Sequence, residues 1–295
     1  VVGGGFAGVE CIIKLESYFG NNHNFEITLI SEDNFLLFTP MLPQVASGAI
    51  ETRHIVTPIR TLIKKTKFYE ARIKNMDPHG KIVTLFGTKE SRGMRIHYDF
   101  LVIALGSQTN FFGMKDVEEN SYRMNTINDA IILRNRIIDL LEQAENETDP
   151  ILRKSLLQIV VVGGGFAGVE TAGEINDFIN EIAEYYPSIN YKDVKVTLIE
   201  ALSEILNGFP EKLAVFAKEK LVERGIEVIL DAGVTSFDGQ EITLKSQSES
   251  NKVLVGNSSE HRGHYKLKEI SSIQSNTLIW TAGTTPVDLV KESLF

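Results

Sequence analysis

The sequence predicts an α/β protein of two matched halves, each a parallel sheet with helices and a small antiparallel β-meander. Three observations support this prediction. The ten residues VVGGGFAGVE open the chain and return at 161–170. Each copy is followed by a helical pattern and then by an apolar strand, the order expected of βαβ units. The length of 295 residues suits about two domains of ordinary size.

The repeated stretch has the spacing Gly-x-Gly-x-x-Gly and directly follows an apolar run. Between a strand and a helix, these glycines make a tight turn, let backbone N–H groups approach a pyrophosphate, and let the helix pack closely. A glycine turn without a ligand is the alternative, but two complete copies favour nucleotide binding. The candidates for cofactor contact are Gly3, Gly5, Phe6, Ala7 and Gly8 in the first copy, and Gly163, Gly165, Phe166, Ala167 and Gly168 in the second.

Two such sites predict two Rossmann-like domains. An enzyme that holds two dinucleotides most simply passes a hydride from a nicotinamide to a flavin. The helices after the glycines are expected at about 6–20 and 166–186, and the next strands at 26–30 and 194–199.

Paired elements continue along both halves. Hairpins are predicted from Lys67–Met76 to Lys81–Phe86 and from Val234–Phe237 to Glu241–Leu244, the second around Asp238-Gly239. A helix is predicted between the halves at 125–144, and a long polar surface excursion at 245–272.

Each half also ends in a predicted buried strand that leads to a glycine, at 99–106 and at 276–283. The last residues of these strands are places where backbone can approach a ligand closely. They are Ala104, Leu105 and Gly106 in the first half, and Thr281, Ala282 and Gly283 in the second.

A dinucleotide site also needs an acidic residue after the next strand, where it accepts hydrogen bonds from a ribose. In the second half Glu200 takes this position and Ala201 follows it, whereas in the first half the position holds Ser31, with Glu32 next. A solvated residue at a strand end is the alternative for Glu200.

Composition excludes several classes of function. The net charge is −9 without a basic block, which argues against a nucleic-acid partner. The single cysteine, Cys11, rules out an internal disulfide and a dithiol, and the six histidines are scattered, so no metal site is predicted. The sequence shows neither an apolar run long enough to span a membrane nor a signal peptide.

Almost the whole chain resembles the type II NADH dehydrogenases, the single-subunit NADH:quinone oxidoreductases among the flavoproteins with two dinucleotide-binding domains. The resemblance lies in NFLLFTPMLPQVASGAIETRHIVTPIR, YDFLVIALGSQTN, GGGFAGVETAGEI, and VTLIEALSEILNGFPEKL with LIWTAGTTP. It implies that the first glycine motif binds FAD, that the second binds NADH, and that a quinone accepts the electrons.

The resemblance also implies roles and boundaries. Thr39 and Pro40 would contact the flavin, and Glu170 would lie where nicotinamide and flavin meet. A carboxylate near a helix N-terminus is favourable by itself, and Glu10 occupies the same place in the first copy, so an ordinary role for Glu170 stays open. The family often has an acid in place of Ser31, so the first ribose contact falls to Glu32 or to the Ser31 hydroxyl.

The domains implied are an FAD-binding domain at 1–115, an NADH-binding domain with a leading linker helix at 116–285, and the start of a return to the FAD domain at 286–295. A second FAD contact, the quinone site and a membrane-binding part are expected after residue 295. The protein would then be peripheral, on the cytoplasmic face of a membrane, and a homodimer stays open.

Two alternatives remain at this stage. One is another enzyme on the same scaffold, a ferredoxin-type reductase or a sulfide:quinone reductase. The other is a redox-signalling protein that resembles apoptosis-inducing factor, binds NADH and FAD, and acts through partners.

Overall fold

The computed structural model describes residues 1–87, 93–246, 252–255, 264–267 and 270–294. The helices within these residues are α1 (Phe6–Phe19), α2 (Leu42–Ala46), α3 (Ile59–Leu62), α4 (Lys115–Asn120), α5 (Ile127–Asn146), α6 (Pro150–Leu156), α7 (Phe166–Ile182), α8 (Glu211–Glu223) and α9 (Asp288–Leu294). The strands are β1 (Thr28–Ser31), β2 (Phe35–Leu37), β3 (Val56–Pro58), β4 (Lys67–Glu70), β5 (Ile73–Asp77), β6 (Ile82–Leu85), β7 (Arg95–His97), β8 (Ser107–Thr109), β9 (Gln158–Val162), β10 (Lys195–Ile199), β11 (Glu227–Leu230), β12 (Ala232–Phe237), β13 (Glu241–Ser246), β14 (Lys252–Val255), β15 (His264–Leu267), β16 (Ser272–Gln274), β17 (Thr277–Trp280) and β18 (Thr284–Pro286).

The chain divides into two compact units. The first contains Val1–Phe38, Arg53–Gln108 and Thr284–Phe295, and the second contains Thr39–Thr52 and Thr109–Gly283. The predicted α/β class is confirmed, since parallel strands, helices and antiparallel meanders occur in both halves of the chain.

The first unit is built around a short parallel core. β1 pairs with β4, and Val2 forms isolated parallel bridges to Ile30 and to Ile103. The antiparallel sheet β5–β6–β7 packs beside it, and Val2, Ile30, Met76 and Val83 share one buried cluster. This arrangement brings the first glycine turn to the end of β1.

The prediction of a buried strand at 99–106 is wrong. Only Ile103 bridges to Val2, and the Phe100 side chain is 89% exposed. Two hydrogen bonds flank this bridge, from the Val2 N–H to the Val102 carbonyl and from the Ala104 N–H to the Val2 carbonyl.

The second unit has a six-stranded sheet in the order β15-β14-β11-β10-β9-β17. The four strands from β11 to β17 run parallel, and the apolar, β-branched sequence QIVVV of β9 is buried along its whole length. A strand with both faces covered is expected to be apolar throughout. The buried strand predicted at 276–283 is confirmed as β17, whose four residues are buried.

Helices and a meander complete the second unit. The predicted helix between the halves is confirmed as α5, which begins at a capping box: the Thr126 hydroxyl accepts from the Asp129 N–H, and the Asp129 carboxylate accepts from the Thr126 N–H. The predicted hairpin around Asp238-Gly239 is confirmed as β12–β13, and β16 adds a third strand to it.

Two predictions about strands need correction. The segment Lys67–Met76 is two strands, since β4 joins the parallel core and only β5 forms the hairpin with β6. The excursion at 245–272 lies partly outside the described residues, but β14 and β15 within it extend the six-stranded sheet in antiparallel fashion. The two strands are only four residues long and are surrounded by polar, Ser-rich sequence, so their short KVLV and HYKL patterns were missed.

Thr39–Thr52 groups with the second unit, although the sequence boundaries placed it with residues 1–115. The reason is that α2 packs on α5 and α7, with the Leu42, Val45 and Ala46 side chains buried. Among the described residues, no helix has the length and apolar character that crossing a bilayer would require.

Candidate functional site

The first glycine turn has little room at two of its glycines and open space at the third. Gly3 has φ +104°, and a Cβ atom on it would lie 2.1 Å from the Ala104 carbonyl oxygen. A Cβ on Gly8 would lie 1.8 Å from the Gly3 carbonyl oxygen, so α1 packs directly on the turn. Around Gly5, by contrast, no atom lies within 4 Å of a Cβ position.

The second turn repeats this geometry. Gly163 has φ +108°, a Cβ on Gly168 would lie 1.7 Å from the Gly163 carbonyl oxygen, and the space at Gly165 is open. Gly5 and Gly165 are the N-cap residues of α1 and α7, and neither helix has a side-chain cap. Each helix therefore presents uncapped N–H groups to open space, which is the geometry that binds a phosphate.

The segments that lead to Gly106 and Gly283 each lie against a glycine turn. The Ala104 carbonyl lies against Gly3, and the Ala282 N–H lies against Gly163. The Thr281 hydroxyl donates to the Val162 carbonyl at 2.7 Å, which fixes the end of β17 beside the second turn. Leu105 is half-buried, and Gly106 and Gly283 are exposed with matching positive φ values of +72° and +74°.

Glu200 lies directly beside the second glycine turn. Its Oε2 accepts a hydrogen bond from the Gly164 N–H at 2.5 Å, and its Oε1 accepts one from the Leu202 N–H at 2.9 Å. These two bonds fix the carboxylate at the carboxyl end of β10, and the neighbouring Ala201 is exposed. A free, solvated strand-end residue would not be held by the backbone in this way.

Ser31 takes the equivalent position in the first half. Gly3 N–H donates to the Ile30 carbonyl at 2.8 Å, as Gly163 N–H donates to the Ile199 carbonyl at 2.9 Å, so the following residues Ser31 and Glu200 correspond. Ser31 is buried, and its Oγ lies 2.4 Å from a Cβ position on Gly4. Glu32, the other candidate for the first ribose contact, is exposed.

The residue after Glu32 lies in a strongly acidic environment. Partial burial raises the pKa of the Asp33 carboxyl, and the neighbouring carboxylates of Glu32 and Glu70 raise it further. Glu32, Asp33 and Glu70 therefore form an acidic cluster at the end of β1.

Glu170 lies in the first two turns of α7, exposed and one helical turn before Glu174. Partial burial and then the Glu174 carboxylate raise the pKa of Glu170 above its usual range. The two glutamates line a cavity of about 240 Å³ together with Lys220 of α8 and Arg224, which follows that helix. In the first copy, Glu10 instead pairs with Lys14 at 3.7 Å on the exposed surface of α1.

Glu174 was not among the residues predicted from the sequence, nor were its partners. Its carboxylate accepts hydrogen bonds from the Ser47 hydroxyl at 2.8 Å and from the Gln44 side-chain amide at 3.3 Å. Glu174 thereby ties the α2 segment to α7. The one available signal was its spacing of four residues from Glu170, which places both carboxylates on one helix face.

Thr39 and Pro40 form a 3₁₀ turn with Met41 just before α2, and both side chains are exposed. They lie in the second compact unit with Glu170. Cys11 is half-buried and free, and within the described part of the chain no cluster of His, Cys, Asp or Glu could hold a metal ion.

Comparisons with known proteins agree with this geometry. The chain is 34% identical to external alternative NAD(P)H-ubiquinone oxidoreductase B3 of Arabidopsis thaliana mitochondria, across 99% of the chain and 48% of that protein. It is 33% identical to the external alternative NADH-ubiquinone oxidoreductase of Yarrowia lipolytica mitochondria, with the same coverage. The chain therefore spans about half the length of the curated relatives it matches.

A solved structure is similar over the same range. NDH2 of Plasmodium falciparum in complex with NADH superposes with a TM-score of 0.84 at 26% identity, covering 99% of this chain and 56% of that one. The sulfide:quinone oxidoreductase of Aquifex aeolicus has a TM-score of 0.71 at 20% identity, which shows a shared fold. The profile of one family, pyridine nucleotide-disulphide oxidoreductase, matches residues 1–294, and this chain belongs to that family.

Proposed function

We propose that the complete protein is a flavin-dependent NADH:quinone oxidoreductase, a type II NADH dehydrogenase. One observation carries the proposal: the chain has two uncapped glycine turns of the same geometry, and Glu200 is hydrogen-bonded to the second. The named relatives are NAD(P)H-ubiquinone oxidoreductases and NADH-ubiquinone oxidoreductases, which supports it.

The second turn suits NADH. The N-terminal amides of α7 would bind the pyrophosphate, and the open space at Gly165 would admit it. The Glu200 carboxylate, already oriented by Gly164 and Leu202, would accept hydrogen bonds from the ribose hydroxyls. A 2′-phosphate would meet that negative charge, so the site should favour NADH over NADPH.

The first turn suits the pyrophosphate of FAD by the same geometry at Gly5 and the N-terminus of α1. FAD, when bound, supplies the hydride acceptor and the group from which two electrons leave to a quinone. The ribose contact here would come from Ser31 or Glu32, and further positioning from Thr39, Pro40 and the backbone at Ala104, Leu105 and Gly106. These residues bind and orient, which is the part left to the protein when a cofactor carries the chemistry.

Glu170 is the residue proposed to lie where the nicotinamide and the flavin meet. Partial burial, and then the neighbouring Glu174 carboxylate, raise the pKa of Glu170, so it holds a proton to a higher pH than a solvated glutamate would. Because Glu174 is fixed by Ser47 and Gln44, this carboxylate pair has a defined position on α7.

The decisive experiment compares electron acceptors for the full-length protein loaded with FAD. NADH oxidation is measured with a short-chain ubiquinone and with a ferredoxin, and quinone reduction is measured with sulfide as the donor. We expect NADH:quinone turnover to be the fastest by a wide margin. Faster reduction of ferredoxin, or a sulfide-dependent reaction, would favour the other reductases. A long-lived charge-transfer complex with slow turnover would favour a redox-signalling protein.

Electron transfer in this region should need no thiol, since Cys11 is the one cysteine of the chain and has no disulfide partner. We therefore expect Cys11→Ala to leave NADH:quinone turnover of the full-length enzyme within about threefold of the parent, as for a small half-buried apolar residue. A loss of several orders of magnitude, with FAD still bound, would contradict this mechanism.

Attachment of the complete protein to a membrane surface is also proposed, because quinones such as ubiquinone dissolve in the bilayer. The predicted cytoplasmic face and the homodimer stay predictions, and the relatives named above are mitochondrial proteins. Co-sedimentation of the full-length protein with vesicles, together with light scattering in detergent, tests attachment and dimerisation separately.

A further inference from the structure

Each glycine turn carries an aromatic pair. Phe6, the first residue of α1, meets Phe38 edge-to-face, with ring centroids 5.7 Å apart and an angle of 80°. Phe166, the first residue of α7, meets Phe209 in the same manner, at 4.6 Å and 77°. Each pair lies within one compact unit.

The second members of the pairs come from segments with little sequence in common. Phe38 follows Ser31 in the stretch EDNFLLF, on an extended chain just after β2. Phe209 follows Glu200 in the stretch ALSEILNGF, after a bend at Leu206 and Gly208, both with positive φ. Two different backbone paths thus bring a phenylalanine against the first residue of the helix. This indicates that both glycine turns require an aromatic contact at that position.

Both approaching segments are held by the backbone. Leu206 N–H donates to the Gly164 carbonyl at 2.7 Å, so the segment before Phe209 is tied directly to the second glycine turn. Phe38 N–H donates to the Ile55 carbonyl at 2.7 Å, which ties Phe38 to the strand pair β2–β3. The aromatic pairs are therefore placed by the fold.

The position of Phe6 and Phe166 at the start of their helices places their rings near the expected pyrophosphate site. Helical side chains lean towards the helix N-terminus, so a ring at the first helical position overhangs the N-terminal N–H groups. The glycines just before them, Gly5 and Gly165, leave that space open. A bound dinucleotide would therefore lie beneath the pair.

The exposure of these rings also indicates a ligand. Phe6, Phe38, Phe166 and Phe209 remain between 45% and 54% exposed, although each touches its partner. A third exposed aromatic cluster, Tyr18–Phe19–Phe25, lies at the end of α1. At the matching positions the described residues form no such ring cluster, because Ile179 replaces Phe19 and both Ile179 and Phe178 are buried. Only the pairs at the glycine turns occur in both halves among the described residues.

We propose that Phe38 and Phe209 are dinucleotide-retaining residues: each holds its partner, Phe6 or Phe166, as an apolar cover over the pyrophosphate of a bound dinucleotide. The cover excludes water from the bonds between the helix amides and the phosphate, which strengthens them in a medium of lower dielectric constant. Ring edges carry partial positive charge and suit the neighbourhood of an anion. The proposal rests on the proposed function and deepens it.

The test uses the full-length protein and two readouts that do not need turnover. Binding of ADP-ribose, which carries the pyrophosphate without the nicotinamide, is measured by calorimetry. Release of FAD is followed by the rise in flavin fluorescence after dilution. We expect Phe209→Ala to weaken ADP-ribose about tenfold, as loss of a partly buried apolar side chain implies, with the FAD content unchanged. We expect Phe38→Ala to speed FAD release by a similar factor, with ADP-ribose binding unchanged.

Two exposed phenylalanines away from the glycine turns serve as matched controls. Phe19→Ala removes an exposed ring at the far end of α1, and Phe216→Ala removes one from α8, where Lys220 lies over it. Neither should change either readout. Phe209→Tyr and Phe38→Tyr keep the ring and should retain the dinucleotides within about twofold of the parent, because the ring–ring contact is kept.

The outcomes separate the two proposals. A parent protein that binds neither FAD nor ADP-ribose would overturn the proposed function. A parent that binds both, with alanine variants that match it, would overturn the inference alone, as would equal losses at both sites from either variant. Should Phe209→Ala not fold, Phe209→Leu replaces it, and a Leu variant equal to the Tyr variant would also overturn the inference.

Discussion

The two copies of VVGGGFAGVE are identical in sequence and nearly identical in conformation, yet the residues around them differ. Both turns have a glycine with φ near +105°, a third glycine packed on the first, and an open N-cap. The residue next to the glycine turn is Ser31 in the first half and Glu200 in the second. We therefore expect the motif to determine how phosphate is bound, and residues distant from it in the sequence to determine which dinucleotide is bound.

The helices after the motif differ in a similar way. Glu10 pairs with Lys14 at the surface, whereas Glu170 faces a second carboxylate that is fixed by α2. A repeated sequence therefore does not imply a repeated function for each residue. The positions that differ between the halves are those expected to respond differently to mutation.

The largest effect is expected where the halves agree. In Gly168→Ala the new Cβ would lie 1.7 Å from the Gly163 carbonyl oxygen, so α7 must move away from β9. We expect a loss of about 3 kcal/mol or more in the free energy of unfolding, as for severe overpacking. Trp280 is the single tryptophan of the 295 residues and is buried in β17. Its fluorescence during urea unfolding therefore follows the unfolding of the second unit.

Gly165→Ala is the matched control, because its Cβ meets nothing within 4 Å and its φ of −74° suits alanine. We expect its stability to stay within about 0.5 kcal/mol of the parent while NADH binding weakens. Equal destabilisation by both variants would show that the second glycine serves the fold and not the ligand.

The next effect tests the difference between Ser31 and Glu200. Hydrogen bonds to a charged group contribute roughly 1.5–3 kcal/mol, so Glu200→Ala should raise the KM for NADH about 10- to 100-fold. The effect on kcat should be smaller, because the ribose contact is made equally in the ground and transition states. The preference for NADH over NADPH should also narrow. Steady-state titrations of parent and variant with both nucleotides measure this, and a parent that prefers NADPH would contradict the assignment.

How far the sequence could predict these features depends on the range of the interactions. The glycine turns, α1, α7, β9 and the β12–β13 hairpin follow from local spacing and periodicity, and all were predicted. The bonds from Ser47 and Gln44 to Glu174 join residues more than 120 positions apart, and no local pattern indicates them. The same holds for the contacts of Phe38 with Phe6 and of Phe209 with Phe166, which join residues 32 and 43 positions apart.

A smaller, pH-dependent effect is expected at Glu170. Since its pKa is raised in the folded protein, the unfolded chain releases this proton first, and stability falls as the pH rises from about 4.5 through the folded pKa. Glu170→Gln removes this dependence, so its stability relative to the parent should increase across that window and then level off. Thermal unfolding from pH 4 to 7 measures it. Glu10→Gln is the control, because Glu10 faces Lys14 instead of a carboxylate; a matching profile for both variants would contradict the role of Glu174.

The smallest effect concerns the middle of the two helices, where Glu16 of α1 corresponds to Asn176 of α7. Burial alone would raise the pKa of Glu16, but bonds from the Thr66 hydroxyl at 2.6 Å and from the Lys65 and Lys64 N–H groups outweigh it, and the net pKa is lowered. Asn176 instead donates to the Arg224 carbonyl at 3.2 Å, without a charge.

Because the pKa of Glu16 is lowered, its stabilising contribution is present above about pH 4.5 and is lost as the pH falls through the folded value. Glu16→Gln should therefore destabilise the first unit at neutral pH, by less than about 1 kcal/mol since the carboxylate is partly solvated, and should match the parent at low pH. Asn176→Ala should lower stability by a similar amount at every pH, because no proton is bound or released. Urea unfolding of both variants at pH 7 and pH 3 gives the comparison. If Glu16→Gln lost the same unfolding free energy at both pH values, the Glu16 carboxylate would act through its shape and not through its charge. Glu170 and Glu200 would then be the remaining positions at which the two halves differ in electrostatics.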